Sequence, residues 1–312
     1  MLSVGFVDPQ GPHIRYEYEI AVGLPPPARL KLNTSASFDV ELQVKQEILT
    51  VVTRGRRTKL LERKQRAVMA RAESEGWGPV EVDLMASETA LGRLEDPARF
   101  GEVDLMRRTL LAWRFYHQVR TDAGSALRRP RVAVATPALA SDGANLAALL
   151  ATIKHIRLDA TDLDGAVDAA FPGARLVIPT PGRMASFSMI FPEFPQRTFE
   201  AAELSDGTLR YLLWAAALLT PRPPSLLVLN EPETSLHPDL IPPLADLILT
   251  ATKDTQIIVV THARPLADAL QKGAIRHRLD VNSIELVKEF GQTTVAGREG
   301  PLDEPLWYWP TR

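Results

Sequence analysis

Glu231 follows a short apolar run, Leu226, Leu227, Val228 and Leu229, after one intervening residue, and stands directly before Pro232. A carboxylate carried there projects from a rigid strand end into the crevice where open α/β sheets hold their ligands. It could orient a water for attack on a phosphoryl group, a reaction in which positioning is most of the protein's share. Three further clusters fit the same chemistry. Leu204-Ser205-Asp206-Gly207-Thr208 opens a helix. Backbone N–H groups at a helix start, a hydroxyl and a glycine that permits close approach make an anion site, while Ser205 serves equally well as an ordinary N-cap. Thr261-His262 ends the next apolar run, residues 257–260. If the two strands are neighbours, its histidine lies beside Glu231, within reach of a terminal phosphate. Ser235-Leu236-His237-Pro238 follows Glu231 closely and leads into a proline-started helix, which a plain turn would also explain. No Gly-x-x-x-x-Gly-Lys-Ser/Thr phosphate loop occurs anywhere in the chain.

The elements that must position these residues alternate in type. A helix after Ser205, the strand 226–229, a helix over 238–250, the strand 257–260 and a helix over 264–270 read as consecutive crossover units of a parallel sheet. Ahead of them the pattern gives helices over 144–156 and 162–171 and strands over 174–178 and 184–190. Period-two alternation through Tyr16, Tyr18 and Ile20, and again through Phe38, Val40, Leu42 and Val44, predicts antiparallel strands broken at Gly23 and the Pro25–Pro27 cluster. Residues 60–75 read as a charged helix and 106–119 as a second helix. Pro130 and Pro137 bracket a junction, so the expected division is an N-terminal lobe over 1–127, a C-terminal lobe over 128–290, and a docked aromatic tail over 291–312 with Trp307, Tyr308 and Trp309.

Composition excludes several classes of function. In 312 residues with 45% hydrophobic and 24% charged content there is material for a sizeable core. Without cysteine there is no disulfide, thiolate metal site or cysteine nucleophile. The first thirteen residues lack the pattern of a secretory signal, and the longest apolar stretch, 212–219, falls far short of the ~20 residues of a spanning helix. A cytoplasmic protein with no membrane partner is the expectation. A formal charge of −2 gives no global pull toward nucleic acid. Locally, Arg54, Arg56, Arg57, Lys59, Arg63, Lys64 and Arg66 could meet a phosphate backbone, although a solvated hairpin and helix face is the favoured reading.

Residues 203–210, 226–238 and 259–262 together resemble the ABC-type ATPase head of the RecF and SMC class, within it the RecF-like AAA-family ATPases without a long coiled coil. The resemblance implies an α/β P-loop NTPase head, a mixed or parallel sheet flanked by helices with an antiparallel N-terminal β lobe, its Walker A part absent from this chain. Leu204 to Thr208 become the signature motif, Asn230 and Glu231 close the Walker B strand, Ser235 to His237 form the D-loop, and His262 is the switch histidine. ATP and Mg2+ are the implied cofactors, sandwiched between two heads so that Ser205 and Gly207 act in trans. Glu231 is then the general base and His262 senses the γ-phosphate. Asn230 stands where the family pattern has aspartate, so it would reach Mg2+ through a water. Gln43, Gln118 and Gln196 are all open as the glutamine loop. The implied function is ATP hydrolysis in a dimer, homodimeric or with a P-loop head, coupled to DNA maintenance or phage defence with a nuclease or effector partner. Each charge-assisted hydrogen bond is worth ~1.5–3 kcal/mol, so losing two with the phosphate loop weakens binding roughly a hundredfold or more. A truncated ATPase head is expected on that ground, or alternatively a non-hydrolysing module that donates its signature motif to a P-loop partner. A transporter's nucleotide-binding component is disfavoured by Ser235-Leu236-His237-Pro238 and by the lack of Gly-Gly-Gln after Ser205.

Overall fold

The computed structural model describes residues 1–8, 11–24, 42–117, 119–155, 161–289 and 292–297. It divides into two compact units, Met1–Trp113 and Arg114–Arg312. In the first, β1 (Leu2–Asp8), β2 (Gly11–Gly23), β3 (Gln43–Thr53), β4 (Arg56–Lys64), β5 (Ala67–Ala72) and β6 (Gly76–Pro79) form one antiparallel meander in sequence order. One face carries Tyr16, Tyr18, Leu49, Val51, Leu61, Val68 and Ala70 into a core closed by α1 (Ala90–Arg93) and α2 (Gly101–Ala112). The β3–β4 turn is Arg54-Gly55, both with positive φ, as a two-residue hairpin turn with right-handed strand twist demands.

The helix expected over 60–75 is instead the β4–β5 hairpin, turning at Gln65-Arg66. A bulge opposite Leu49 and Thr50 leaves Leu60 as an extra residue, so Leu60 and Leu61 are both buried and the period-two signal is interrupted. The second expected helix also shifts. Helix α2 starts at Gly101 with Glu102 and Asp104 at its positive end, and stops at Ala112. Residues 114–116 turn into a strand. Phe38, Val40, Gln118 and the aromatic tail from Trp307 lie outside the described residues.

The second unit is built around β7 (Arg114–Tyr116), β13 (Leu226–Asn230) and β14 (Gln256–Val260), three parallel strands in the order β14-β13-β7. Because β7 pairs with β13, the units part at Trp113, ahead of the proline-bracketed junction. Between them in the chain come β8 (Arg131–Val132), α3 (Leu146–His155), α4 (Thr161–Ala170), β9 (Arg175–Val177), β10 (Met184–Ala185), β11 (Ser188–Ile190), β12 (Phe199–Glu200) and α5 (Asp206–Leu218). The strand expected over 184–190 is thus split, β10 pairing with β8 and β11 with β9 and β12. Helices α6 (Ile241–Ala251) and α7 (Arg264–His277) complete the crossovers, and β15 (Leu286–Glu289) pairs with β16 (Gln292–Val295).

Helix α5 is the hub of this unit. Tyr211, Leu212, Leu213, Trp214, Ala215 and Ala216 are all at most 1% exposed, so the helix is apolar nearly all round and packs against α3, α4 and α6. Each such leucine contributes ~1.5–3 kcal/mol of burial free energy. Trp214 stacks edge-on against Tyr116 at 6.0 Å and donates from Nε1 to the Pro232 carbonyl at 2.8 Å. The core therefore holds the turn that follows β13 directly in place.

Candidate active site

The register of the sheet sets the chemistry. Asn230 pairs with Val260, so the two strands end side by side. The Glu231 N–H donates to the Val260 carbonyl at 2.7 Å, which extends the ladder by one bond. Glu231 then takes φ +48°, a left-handed conformation costing a non-glycine residue ~1–2 kcal/mol. The strained turn carries its carboxylate to His262, with Oε1 3.3 Å from Nδ1. Both side chains are open to solvent, 47% and 74% exposed. On the other flank Asn230 Nδ2 donates to His117 Nδ1 at 2.7 Å, so β7 contributes a third strand-end side chain.

Behind this edge Glu233 is buried, accepting from Thr261 Oγ1 at 2.5 Å. Thr261 Oγ1 also accepts from the Ala263 N–H at 3.0 Å, which fixes the turn carrying His262. The second oxygen of Glu233 is buried without a hydrogen-bond partner among the described residues. The Thr234 and Leu236 N–H groups close two successive tight turns onto the carbonyls of Glu231 and Glu233.

The Leu204–Thr208 segment and the following turn form a second cluster. Ser205 Oγ accepts from the Thr208 N–H at 3.1 Å and touches Thr208 Oγ1 at 2.8 Å, a true N-cap of α5. Leu204 and Thr208 are buried, and Asp206 lies exposed in the first turn. A Cβ on Gly207 would come 2.8 Å from the Ser235 carbonyl oxygen, so only glycine lets the helix start lie against that backbone. Ser235 itself has φ +66°. Ser205, Gly207, Thr208, Ser235, Leu236 and His237 are among the residues that line an open cavity of about 640 Å³. His237 caps the short turn that leads into α6, its Nδ1 accepting from the Asp239 N–H at 3.3 Å.

The basic run is a correction in part. Arg63 is only 1% exposed, and its guanidinium donates to the carbonyls of Gln65, Glu88, Met85 and Ala86. It belongs to the core of the N-terminal unit and cannot meet a nucleic acid. Arg57 pairs with Glu17, and Lys59 and Lys64 with Glu62 at 3.2 and 2.9 Å, which holds the Glu62 carboxyl below its usual range. Arg54, Arg56 and Arg66 are exposed at or beside the hairpin turns. Sequence reasoning gives His117 and Arg210 no role, because their partners lie far away in the chain; Glu233 is legible as a second strand-end carboxylate, and Arg128 only as one of a basic group with Arg129 and Arg131.

Parallel strands ending in a carboxylate and a histidine, with a capped helix start laid against the turn between them, place the candidate residues on one α/β framework, and the class this framework belongs to is that of the AAA domains. The family model described as "AAA domain, putative AbiEii toxin, Type IV TA system" matches residues 86–267, more than half of the chain, and the chain belongs to that family. Similar solved structures include an SMC head bound to the C-winged helix domain of ScpA, at 12% identity over 91% of this chain and 73% of that one, TM-score 0.43. The SMC head domain from Thermotoga maritima is another, at 14% identity over 93% and 76%, TM-score 0.38. No curated protein matches the chain. Among the described residues no helix is long and apolar enough to cross a membrane.

Proposed function

We propose that the protein is an ATP-hydrolysing head that closes as a dimer over nucleotide, in the cytoplasm, in the service of DNA maintenance or phage defence. The observation that carries this reading is the 3.3 Å approach of Glu231 and His262 at the ends of two register-matched parallel strands, on a turn held by strained backbone. Glu231 acts as general base, accepting the proton of the attacking water as the bond to the γ-phosphorus forms. His262 hydrogen-bonds the terminal phosphate and holds Glu231 in place. Ser205 and Gly207, at the positive end of α5, contact the nucleotide held by the other head.

Asn230 would hold Mg2+ through a water, as suits a hard cation that keeps several of its waters, and Glu231 stays free to act as base. Among the described residues no group of three or more His, Cys, Asp or Glu side chains is placed to hold a metal ion. When bound, Mg2+ would supply positive charge beside the phosphate oxygens. Partners in this reading are a second head, DNA reached through Arg54, Arg56 and Arg66, and a nuclease or effector.

The lack of a phosphate-loop motif in these residues favours a second reading, a module that lends Ser205 and Gly207 to a P-loop partner without hydrolysing ATP itself. Steady-state hydrolysis by the full-length protein, with and without Ser205→Arg, separates the two. Hydrolysis that is lost in the variant supports the head reading. No hydrolysis alone, with stimulation of a P-loop partner, supports the module.

A further inference from the structure

Arg128 ends a short 3-10 turn, Ala126–Arg128, anchored by Ser125 and by buried Leu127. Its side chain is only 10% exposed and reaches into the loop that precedes α5. Nη1 donates to the carbonyls of Leu204 at 2.7 Å, Ala202 at 3.0 Å and Ala201 at 3.3 Å, while Nη2 meets Asp206 Oδ1 at 2.7 Å. Nε points the other way, to the carbonyls of Thr121 at 2.9 Å and Asp122 at 3.2 Å. One planar, always-charged fork thus joins two loops that have few ladder bonds of their own, a task that the single ammonium of lysine cannot perform.

Arg210, one turn into α5, repeats the link. Its Nη2 donates to the Val119 carbonyl at 2.9 Å, while its Nε is buried without a partner among the described residues and burial pushes its pKa down. Val119, Thr121 and Asp122 follow His117 closely in the chain, and His117 holds Asn230. The two arginines therefore connect the strand-end edge to the Ser205–Gly207 helix start. On its other side that helix start rests on the Ser235 backbone, which descends from Glu231.

We infer that Arg128, seconded by Arg210, is a positioning residue that sets Ser205 and Gly207 for the opposite head's nucleotide and ties their placement to the state of the strand-end edge in the same chain. It touches no nucleotide itself. The inference rests on the proposed trans role of the Leu204–Thr208 segment. Without Arg128 three loop carbonyls and the Asp206 carboxylate lose their shared donor, and the loop relaxes while β13 and β14 keep their ladder.

The test is complementation in the full-length protein. Arg128→Ala and Glu231→Gln homodimers are each expected to lose about tenfold or more of ATP hydrolysis, the first through its trans surface and the second through its cis base. Mixed one to one, half of the dimers are heterodimers carrying one intact composite site, so activity returns to roughly a quarter of wild type. Ser205→Arg mixed with Glu231→Gln is the reference pair. Recovery in both mixtures supports the inference. Recovery with Ser205→Arg but not with Arg128→Ala overturns it and leaves the trans reading standing; no recovery in either overturns both. Should Arg128→Ala fail to fold, Arg128→Lys, which keeps the charge beside Asp206 but not the fork, takes its place with the same expected outcomes. Arg210→Met, which removes the Val119 bond without leaving a buried charge, should show a weaker form of the same pattern.

Discussion

Two carboxylates, one in each unit, show how differently the same group is used. Glu47 in β3 is 0% exposed and accepts from the Tyr18 hydroxyl at 3.0 Å and from the Ala90 and Leu91 N–H groups at 2.7 and 2.8 Å. Nearby Arg63 is likewise inside, its donors spent on main-chain carbonyls. Burial, and then the adjacent Glu47 charge, push the Tyr18 hydroxyl far above its ordinary range, so it stays a donor at any working pH. Glu47 ties β2 and β3 to the start of α1, and Arg63 ties β4 to the segment that leads into it. Glu231 has one side-chain partner among the described residues, half its surface in water, and a backbone conformation that it adopts at a cost. A buried, saturated network specifies architecture, whereas an exposed, unsaturated and strained group keeps its capacity for a ligand.

That contrast can be broken first at its structural pole. Glu47→Ala leaves two N–H groups and a hydroxyl buried without an acceptor, and should cost ~3–5 kcal/mol in urea denaturation of the N-terminal unit. A change of less than about 1 kcal/mol there would mean that the cluster is not architectural. The next effect belongs to the helix start. Gly207→Ala forces a Cβ against the Ser235 carbonyl and should cost ~1–3 kcal/mol, with a matching loss of ATP hydrolysis and no change in the strand-end pair. Thermal melts and turnover measured on the same sample decide it. Smallest, and opposite in sign, is Glu231→Gly. Relief of the left-handed backbone should stabilise the second unit by about 1 kcal/mol while abolishing hydrolysis. A destabilised variant would remove strain from the account of this site.

The sequence made the strand-end site legible because its signals are local. An apolar run that stops abruptly at Asn230 and Glu231, a second that stops at Thr261-His262, and Ser205 before an apolar helix can each be read within a dozen residues, and register then brings the first two together. The misread elements failed for identifiable reasons. In β4 the bulge at Leu60 broke the alternation, and the charge density of 60–75 imitated a solvated helix. Strand β7 has three residues and continues the apolar pattern of α2, so nothing in Arg114-Phe115-Tyr116 marks a change of period. The positioning residues are invisible for a third reason. Asn230 and His117 stand 113 residues apart, and Arg128 meets Leu204 across 76. Such pairings depend on the tertiary fold, and residue type alone does not name them.

In the proposed function the strained, exposed carboxylate at the end of β13 is the base of a composite ATP site. The most direct measurement is nucleotide retention and sedimentation of Glu231→Gln in the full-length protein with ATP and Mg2+. Glutamine keeps the shape and the hydrogen bonds but cannot take the proton, so hydrolysis should fall ~10²–10⁴-fold and ATP should stay bound in a stable dimer. Wild-type turnover by this variant, or a monomer that holds no ATP, would contradict the account.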